Sequence, residues 1–164
     1  VGACEAVVRV LEQHASVAGV AEKACQAIRN LAVNDNNEAL MANVGACEAV
    51  VRVVQQHASV VGVAEAACEA IRNLSFNKNN KVLMANVGAC EAVVRVLQQH
   101  ASVAGVAEKA CQAIHNLASN NECKIRCATA GAYEAAVRAM EQHASVAGVV
   151  EQPSRIITTL ATVK

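Results

Sequence analysis

The sequence has almost no aromatic residues: Phe76 and Tyr133 are the only two among 164 residues, and tryptophan is absent. Charged residues account for 17% of the chain and their formal charges cancel, so there is no basic stripe that could neutralise a row of phosphates. Apolar runs are far shorter than the about 20 residues of a membrane-spanning helix, and the N-terminus lacks the order of a secretory signal. Nucleic acid and membranes are therefore excluded as expected partners.

Catalytic motifs are missing as well. The chain contains no glycine-rich phosphate loop, no HExxH, no CxxC and no Gly-x-Ser-x-Gly. Cys123 and Cys127 lie four residues apart with His115 as a third candidate ligand, but three ligands without a fourth make a poor zinc site. We expect Cys127 in the core, Cys123 at the surface, no bound metal or cofactor, and no enzymatic activity.

What the chain does contain is a repeat. All eight glycines fall at two positions of a 43-residue spacing, at residues 2, 45, 88 and 131 and at residues 19, 62, 105 and 148. With 54% hydrophobic residues, the chain has enough apolar surface for a continuous core. The spacing predicts one repeat domain over residues 1–164, divided into units 1–43, 44–86, 87–129 and a cap-like unit 130–164.

Apolar spacing predicts the helices of each unit. Val20, Ala24 and Ile28 form one stripe of a long helix, and residues 3–14 form a second amphipathic helix. On the outer side of this second helix, a glutamate precedes an arginine by four residues in every unit, which predicts exposed ion pairs. The pairs are residues 5 and 9, 48 and 52, 91 and 95, and 134 and 138.

Two local signals set the expected helix boundaries. A short helix is expected over residues 38–43 and 81–86, after the asparagine-rich loops 34–37 and 77–80. In the last unit Pro153 predicts a long helix that starts only near Gln152, because proline is tolerated in the first turn alone.

Cysteine and histidine recur with the same spacing. Equivalent atoms of stacked helices lie about 8–10 Å apart, beyond the about 7 Å between Cα atoms that a disulfide allows. We therefore expect reduced core thiols and an intracellular, cytoplasmic setting, although a bridge within one unit, such as Cys4 to Cys25, remains open. Histidines at residues 14, 57, 100 and 143 end the second helix, where we expect them beside helix-terminal carbonyls.

The run NNEALMANVGACEAVVRVVQQH, followed by VAEAACEAIRNL, resembles the armadillo repeat. Armadillo units have a short first helix, a glycine, an Ala-Val-Val second helix and a third helix that ends in Asn-Leu. The resemblance covers the whole chain and implies an all-α, right-handed armadillo or HEAT-like solenoid of about four three-helix units. Because the first unit lacks its short helix, eleven helices are expected.

The resemblance also implies a function. In armadillo proteins the third helices line a concave groove that holds extended peptides, and an asparagine near the end of each bonds the peptide backbone. The chain is then expected to be a protein-binding or peptide-binding scaffold whose rungs are Asn30, Asn73 and Asn116. The other candidate site residues are Gln26, Glu69, Gln112, Arg29, Arg72, His115, Lys23 and Lys109. This modestly basic set favours an acidic partner.

The departures from the family pattern leave other interpretations open. Peptide-binding members carry a tryptophan one turn before the asparagine, where this chain has Gln26, Glu69 and Gln112, so binding should be weak. In the alternative, the asparagines satisfy neighbouring helix ends and bind nothing. The uncovered helix pair of the first unit predicts end-to-end self-association. A structural spacer and an engineered scaffold without a native ligand are the remaining interpretations.

Overall fold

The structure is a computed structural model that describes residues 2–162, and these residues form eleven α-helices and no strand. Second helices of the repeat are α1, α4, α7 and α10, third helices are α2, α5, α8 and α11, and the short helices are α3, α6 and α9. Their bounds are α1 Gly2–Gln13, α2 Ala18–Leu31, α3 Asp35–Asn43, α4 Ala46–His57, α5 Val61–Leu74, α6 Lys78–Asn86, α7 Ala89–Gln99, α8 Ala104–Leu117, α9 Asn121–Thr129, α10 Ala132–Gln142 and α11 Ala147–Leu160. The expected all-α class and the number of helices are confirmed.

Three second helices begin after a left-handed glycine. Gly45, Gly88 and Gly131 have φ angles of 83°, 81° and 90° and immediately precede α4, α7 and α10. Glycine adopts this region without strain because it has no Cβ. One of the two glycine positions of the repeat is therefore required by backbone conformation at the turn between short and second helix.

The glutamate that follows each of these glycines folds back over the start of its helix. Oε2 of Glu48 and Oε2 of Glu91 lie 4.0 and 3.8 Å from the place where a Cβ of the preceding glycine would stand. Both oxygens are buried without a hydrogen-bond partner among the described residues, and the helix dipole favours a carboxylate at the start of a helix. The predicted glutamate–arginine ion pairs on the second helices do not form within residues 2–162, because exposed pairs gain little.

The short helices begin three residues earlier than predicted. α3 and α6 start at Asp35 and Lys78, so most of each asparagine-rich segment is helical. The reason is capping: the side-chain oxygen of Asn77 accepts hydrogen bonds from the N–H groups of Asn79 and Asn80. An asparagine at this position satisfies first-turn donors that the helix cannot pair by itself. The asparagines before α3 and α9 act in the same way.

The prediction of a late start for the last third helix was wrong. α11 has the same 14 residues as the other third helices and carries Pro153 in its interior. An interior proline costs about 3 kcal/mol. Val149, Ile156 and Leu160 are nevertheless buried from the same helix. At about 1.5–3 kcal/mol for each buried side chain, packing outweighs the cost of the proline.

Packing is continuous along the array. One buried apolar cluster runs through all the units and includes Ile28, Ile71 and Ile114, the same position of three successive third helices. Consecutive third helices pack on each other more extensively than consecutive second helices do. In the described part of the chain, no helix is both long and apolar enough to cross a membrane.

The thiols belong to this core. All eight cysteines are free and buried, which confirms the expectation that the repeated ones act as small core residues. Burial raises the pKa of Cys25 and of Cys111 to about 12. Cys123 was expected at the surface and is instead fully buried, because its Sγ packs 3.5 Å from the carbonyl oxygen of Lys81 on the preceding short helix.

Candidate functional site

The predicted site residues form one face of the array, which we call the third-helix face. It consists of the polar side chains of α2, α5, α8 and α11 that reach solvent. Asn30 and Lys23 are exposed, and the other predicted members are partly exposed. Those partly exposed members are Gln26, Arg29, Glu69, Arg72, Asn73, Lys109, Gln112, His115 and Asn116.

The asparagines link successive third helices. Nδ2 of Asn73 donates to the carbonyl oxygen of Arg29 at 3.0 Å, and Nδ2 of Asn116 donates to the carbonyl oxygen of Arg72 at 2.9 Å. Each acceptor lies in the last turn of the preceding third helix, where carbonyl groups have no partner within the helix. These two amides therefore satisfy a neighbouring helix end, which was one half of the alternative raised by the sequence.

The three predicted rungs differ in what they still offer a ligand. An amide nitrogen carries two hydrogens, and Asn73 uses one of them. Nδ2 of Asn116 also lies 3.1 Å from Oγ of Ser75, but Oγ of Ser75 and the Arg72 carbonyl oxygen are only 2.9 Å apart, so the two oxygens share one amide hydrogen of Asn116. Asn30 lies on α2, the first third helix, and its Oδ1 accepts hydrogen bonds from the Arg29 side chain. Asn30 therefore keeps both amide hydrogens for a ligand, whereas Asn73 and Asn116 each keep one.

Three charged residues form an ion triad across α2, α5 and α8. Oε2 of Glu69 lies 2.5 Å from Nη1 of Arg29, and its Oε1 lies 3.3 Å from Nζ of Lys109. Burial alone would raise the pKa of Glu69, but hydrogen bonds and charges from Arg29 and Lys109 outweigh it and hold the pKa below its ordinary value of 4.5. Much of the expected positive charge of this part of the face is thereby neutralised.

The ion pair also shows which positions of neighbouring third helices face each other. Arg29 and Glu69 are 40 residues apart. The same interval relates His115 on α8 to Arg155 on α11. Two basic residues thus occupy, at the last contact, the positions that hold an ion pair at the first. Burial and, after it, the charge of Arg155 lower the pKa of His115 below its ordinary value of 6.5.

A polar cavity of about 260 Å³ lies at this last contact, between α5, α8 and α11. The guanidinium carbon of Arg72 lies 5.3 Å from the ring centre of Phe76, over its face. Nδ1 of His115 is buried and has no hydrogen-bond partner within residues 2–162. The residues that line this cavity, which we call the α5–α8–α11 cavity, are Arg72, Phe76, Gln112, His115, Asn116, Gln152 and Arg155.

A histidine ladder joins the second-helix ends. Nε2 of His57 donates to the carbonyl oxygen of Ala15 at 2.6 Å, and Nε2 of His100 donates to that of Ala58 at 2.6 Å. His143 repeats the contact on the following unit. Because a carbonyl only accepts, each Nε2 must carry its proton. The sequence predicted carbonyl partners for these side chains but not that they belong to the preceding unit.

A third ladder, on the short helices, was missed. Nδ2 of Asn80 is buried and donates to the carbonyl oxygens of Glu38 and Leu74, at 3.1 and 2.9 Å. Glu38 belongs to α3, the short helix of the preceding unit, and Leu74 is the last residue of α5, so Asn80 links its own unit to the one before it. The available signal is the recurrence of asparagine at residues 37 and 80, a composition that is equally typical of a loop.

The suggested metal ligands do not converge. Among the described residues, no group of three or more His, Cys, Asp or Glu side chains is placed so that it could hold a metal ion. Instead of approaching the two cysteines of α9, His115 lines the α5–α8–α11 cavity.

With this geometry in place, comparison with known proteins identifies the family. The sequence profile of the family described as LRRK2 ARM repeat matches residues 2–163. The chain therefore belongs to the armadillo repeat family, and it is an armadillo-like repeat scaffold. Among curated proteins, none matches this chain.

Solved structures share the fold. A crystal structure of an engineered protein, a structural genomics target, superposes with a TM-score of 0.83 at 20% identity, covering 98% of this chain and 63% of that chain. A second engineered protein gives a TM-score of 0.81 at 20% identity, covering 98% of this chain and 38% of that one. This chain thus spans less than two thirds of the length of either protein. At this identity the likeness concerns the fold alone.

Proposed function

We propose that this chain is a non-catalytic protein-binding scaffold that holds an extended, acidic segment of a partner protein along its third-helix face. The observation that carries the proposal is the packing asymmetry between the layers. Third helices pack on one another more extensively than second helices do, which supports an array of about four units with the third-helix face on its concave side. Right-handedness of this array is what membership of the armadillo family implies. Buried free thiols support a cytoplasmic setting.

The division of labour on this face follows from its hydrogen bonds. Asn73 and Asn116 each donate a side-chain hydrogen bond to the preceding third helix, so they stabilise the packing of the third helices. Asn30 is exposed and free of any cross-helix bond within the described chain, which makes it the best backbone clamp of the three. Specificity then comes from the charged side chains outside the ion triad. Among these, Arg72 forms no ion pair within residues 2–162 and can meet an acidic group of the partner.

A peptide array probed with the purified chain tests the proposal. Peptides that bind are measured again with three variants: Asn30→Ala and Arg72→Glu on the third-helix face, and Arg95→Glu, an exposed arginine on second helix α7. Arg72→Glu and Asn30→Ala should weaken binding at least about fivefold, the loss of one hydrogen bond or charge contact. Arg95→Glu should bind as the parent does. Binding that follows Arg95 instead, or an array on which no peptide binds, would contradict the proposal.

A second candidate function, self-association of units end to end, is favoured by one surface. Val10 is 42% exposed, whereas its equivalents Val53 and Val96 are fully buried on helices that pack on the second helix of the preceding unit. Together with Val7 and Val20 it lines an apolar cavity of about 430 Å³ between α1 and α2. We expect this surface to be covered by the last unit of a second copy of this chain. That contact would repeat the interface between successive units within one chain.

Light scattering over a concentration series distinguishes this candidate. If copies stack, the apparent mass rises with concentration and Val10→Glu abolishes the rise. Val82→Glu is the matched control, because Val82 is equally exposed (47%) on short helix α6, away from that cavity. A mass that stays monomeric at all concentrations, or a rise that Val10→Glu leaves unchanged, excludes stacking through this surface.

A further inference from the structure

We propose that the α5–α8–α11 cavity binds a carboxylate group of an acidic peptide segment, held by Arg72 and Arg155 beside Phe76. The inference rests on the protein-binding function proposed above and deepens it. It assigns the specificity of the third-helix face to one end of the array and names the chemistry recognised there.

The contacts between successive third helices differ in their charge pattern. At the α2–α5 contact, Arg29 faces Glu69 and the two form an ion pair. At the α8–α11 contact, the equivalent positions hold His115 and Arg155, so the place of the carboxylate is taken by a second basic group. A cavity lined by several basic groups favours an anion between them. The α8–α11 contact thus has the position that holds the Glu69 carboxylate at the α2–α5 contact, but the chain places no carboxylate there.

The acidic side chains nearby do not supply that carboxylate. Glu108 accepts a hydrogen bond from Gln112 at 3.0 Å, and Glu151 pairs with Arg155 at 2.7 Å on the solvent side, where both partners are more than half exposed. Arg72 makes no ion pair within residues 2–162. An external anion therefore meets one unpaired guanidinium and a second one that is paired only in solvent.

Shape and orientation favour a carboxylate on a peptide. The fork of an arginine matches the two oxygens of a carboxylate, and stacking on Phe76 holds the Arg72 guanidinium in position before a ligand arrives. A volume of about 260 Å³ is below the about 300–1,000 Å³ typical of drug-sized ligands, and suits the end of one side chain. Phe76 is 54% exposed and offers an apolar surface to the residue next to that carboxylate.

His115 adds a group that reports on occupation. Its Nδ1 is buried without a partner among the described residues, and a carboxylate in the cavity supplies the acceptor that a protonated Nδ1 needs. The charged groups facing or flanking this imidazole are Arg72, Arg155, Glu108 and Glu151. Because a bound anion offsets the positive charge around His115, its pKa should rise when the ligand binds.

The test uses the full chain and four probes of defined chemistry. The first is a blocked peptide with two adjacent glutamates in an alanine–glycine background, and the second is the same peptide with glutamines. The third is a neutral peptide with a free C-terminal carboxylate, and the fourth is inorganic phosphate. Binding is followed by amide and imidazole NMR shifts. We expect the glutamate peptide to shift the signals of residues around the cavity and to raise the pKa of His115, while the glutamine peptide does neither.

Variants assign the effect to the cavity. Arg155→Gln places at residue 155 the side chain that the chain itself has at the equivalent residues 26 and 112, so folding should be unaffected. It should lower affinity for the glutamate peptide about tenfold, the effect of losing one charge-assisted contact. Arg95→Gln removes the same charge from second helix α7 and should change nothing.

A filled-site variant gives a second, independent test. His115→Arg combined with Arg155→Glu recreates at the α8–α11 contact the pairing of Arg29 with Glu69. This double variant should fold at least as stably as the parent, judged by thermal unfolding, and should lose the response to the glutamate peptide. Retention of full binding by the double variant would show that the ligand does not use this position.

The remaining outcomes of the binding measurements separate the carboxylate site from the scaffold function. Equal binding of glutamate and glutamine peptides, with no effect of Arg155→Gln, overturns the carboxylate site but leaves the scaffold function intact. Failure of all peptides on the array and in solution overturns both. Binding of the free C-terminus but not of the glutamate side chains keeps the site and identifies its source as a chain end. Response to phosphate alone excludes a carboxylate ligand and overturns the inference.

Discussion

Asn73 reaches across from one third helix to the next and donates its side-chain N–H to the carbonyl oxygen of Arg29, 44 residues earlier in the chain. A side chain that was expected to face a ligand thus contributes to the stack. The same arrangement occurs on all three kinds of helix, with histidine on the second helices and asparagine or Cys123 on the short ones. Polar contacts between units are therefore built from repeated side chains and backbone carbonyls.

The first prediction concerns this bond. Asn73→Ala removes the donor and leaves the Arg29 carbonyl without its partner, so we expect a loss of about 1–2 kcal/mol in the free energy of unfolding. Asn30→Ala is the matched control, because Asn30 has no preceding third helix in the described chain to bond, and it should cost below about 0.5 kcal/mol. Urea unfolding followed by circular dichroism measures both. Equal costs for the two variants would show that the cross-helix bond contributes nothing.

The histidine ladder makes a second comparison available. His100 is buried and donates a hydrogen bond to the carbonyl oxygen of Ala58, whereas His14, directly after α1, is exposed. We expect His100→Ala to destabilise the protein by about 2 kcal/mol, through a lost hydrogen bond and a lost packed ring. His14→Ala should remain within about 0.5 kcal/mol of the parent. The two midpoints of thermal unfolding should separate accordingly, and coincident midpoints would contradict the assignment.

The ion triad predicts a pH dependence. The folded-state pKa of Glu69 lies below its ordinary value of 4.5, so the folded state binds its proton less readily than the unfolded state does. The stability that this carboxylate contributes is therefore present above pH 4.5 and is lost as the pH falls through the folded-state pKa. Glu69→Gln should lower stability by about 1 kcal/mol at pH 7, and the difference should shrink towards pH 3.

Chemical denaturation at several pH values checks this course. Glu12→Gln serves as the control, since Glu12 is exposed and forms no ion pair within residues 2–162. A stability difference for Glu69→Gln that grows as the solution becomes acidic would reverse the sign and exclude the explanation.

Gly45 and Gly19, one from each of the two glycine positions of the repeat, should respond to alanine in opposite directions. Gly45 has a φ of 83°, so Gly45→Ala forces a left-handed alanine and should destabilise the protein by about 1–2 kcal/mol. Gly19 lies within α2 with no atom within 4 Å of an added Cβ, so Gly19→Ala should stabilise by about 0.5–1 kcal/mol through helix propensity. Thermal unfolding of the two variants gives the signs, and a stabilising Gly45→Ala would be inconsistent with the turn described here.

Thiol protection is the last prediction. All eight cysteines are buried, and burial raises the pKa of several of them, including Cys25 and Cys111. Because the thiolate is the reactive form, the native protein should react with a disulfide reagent far more slowly than the protein in denaturant. When the protein is prepared under reducing conditions and then unfolded in denaturant, the amount of chromophore released by the reagent should correspond to eight thiols per chain. Rapid reaction of the native protein would show that the core opens readily.

Periodic features could be predicted from the sequence, and isolated ones could not. Apolar stripes such as Val20, Ala24 and Ile28 define a helix face by spacing alone, so all eleven helices were expected. Helix boundaries were less accurate, since the same asparagine composition describes a loop and a capped helix start. Pro153 was misjudged because the packing that holds α11 in place has no local signal.

The candidate site was predicted as a set of positions, not as a set of contacts. Residue order was enough to predict the repeat and its helices, because helix periodicity and a 43-residue spacing follow from it, whereas the face on which Asn30, Asn73 and Asn116 lie was implied by the armadillo resemblance. Three-dimensional packing was needed to show that Asn73 and Asn116 each donate an amide hydrogen to a carbonyl of the preceding third helix, and that His115 and Arg155 line one cavity. Backbone carbonyls are the same at every residue, and the offset between stacked helices depends on side-chain packing, so neither partner is visible in the order of residues.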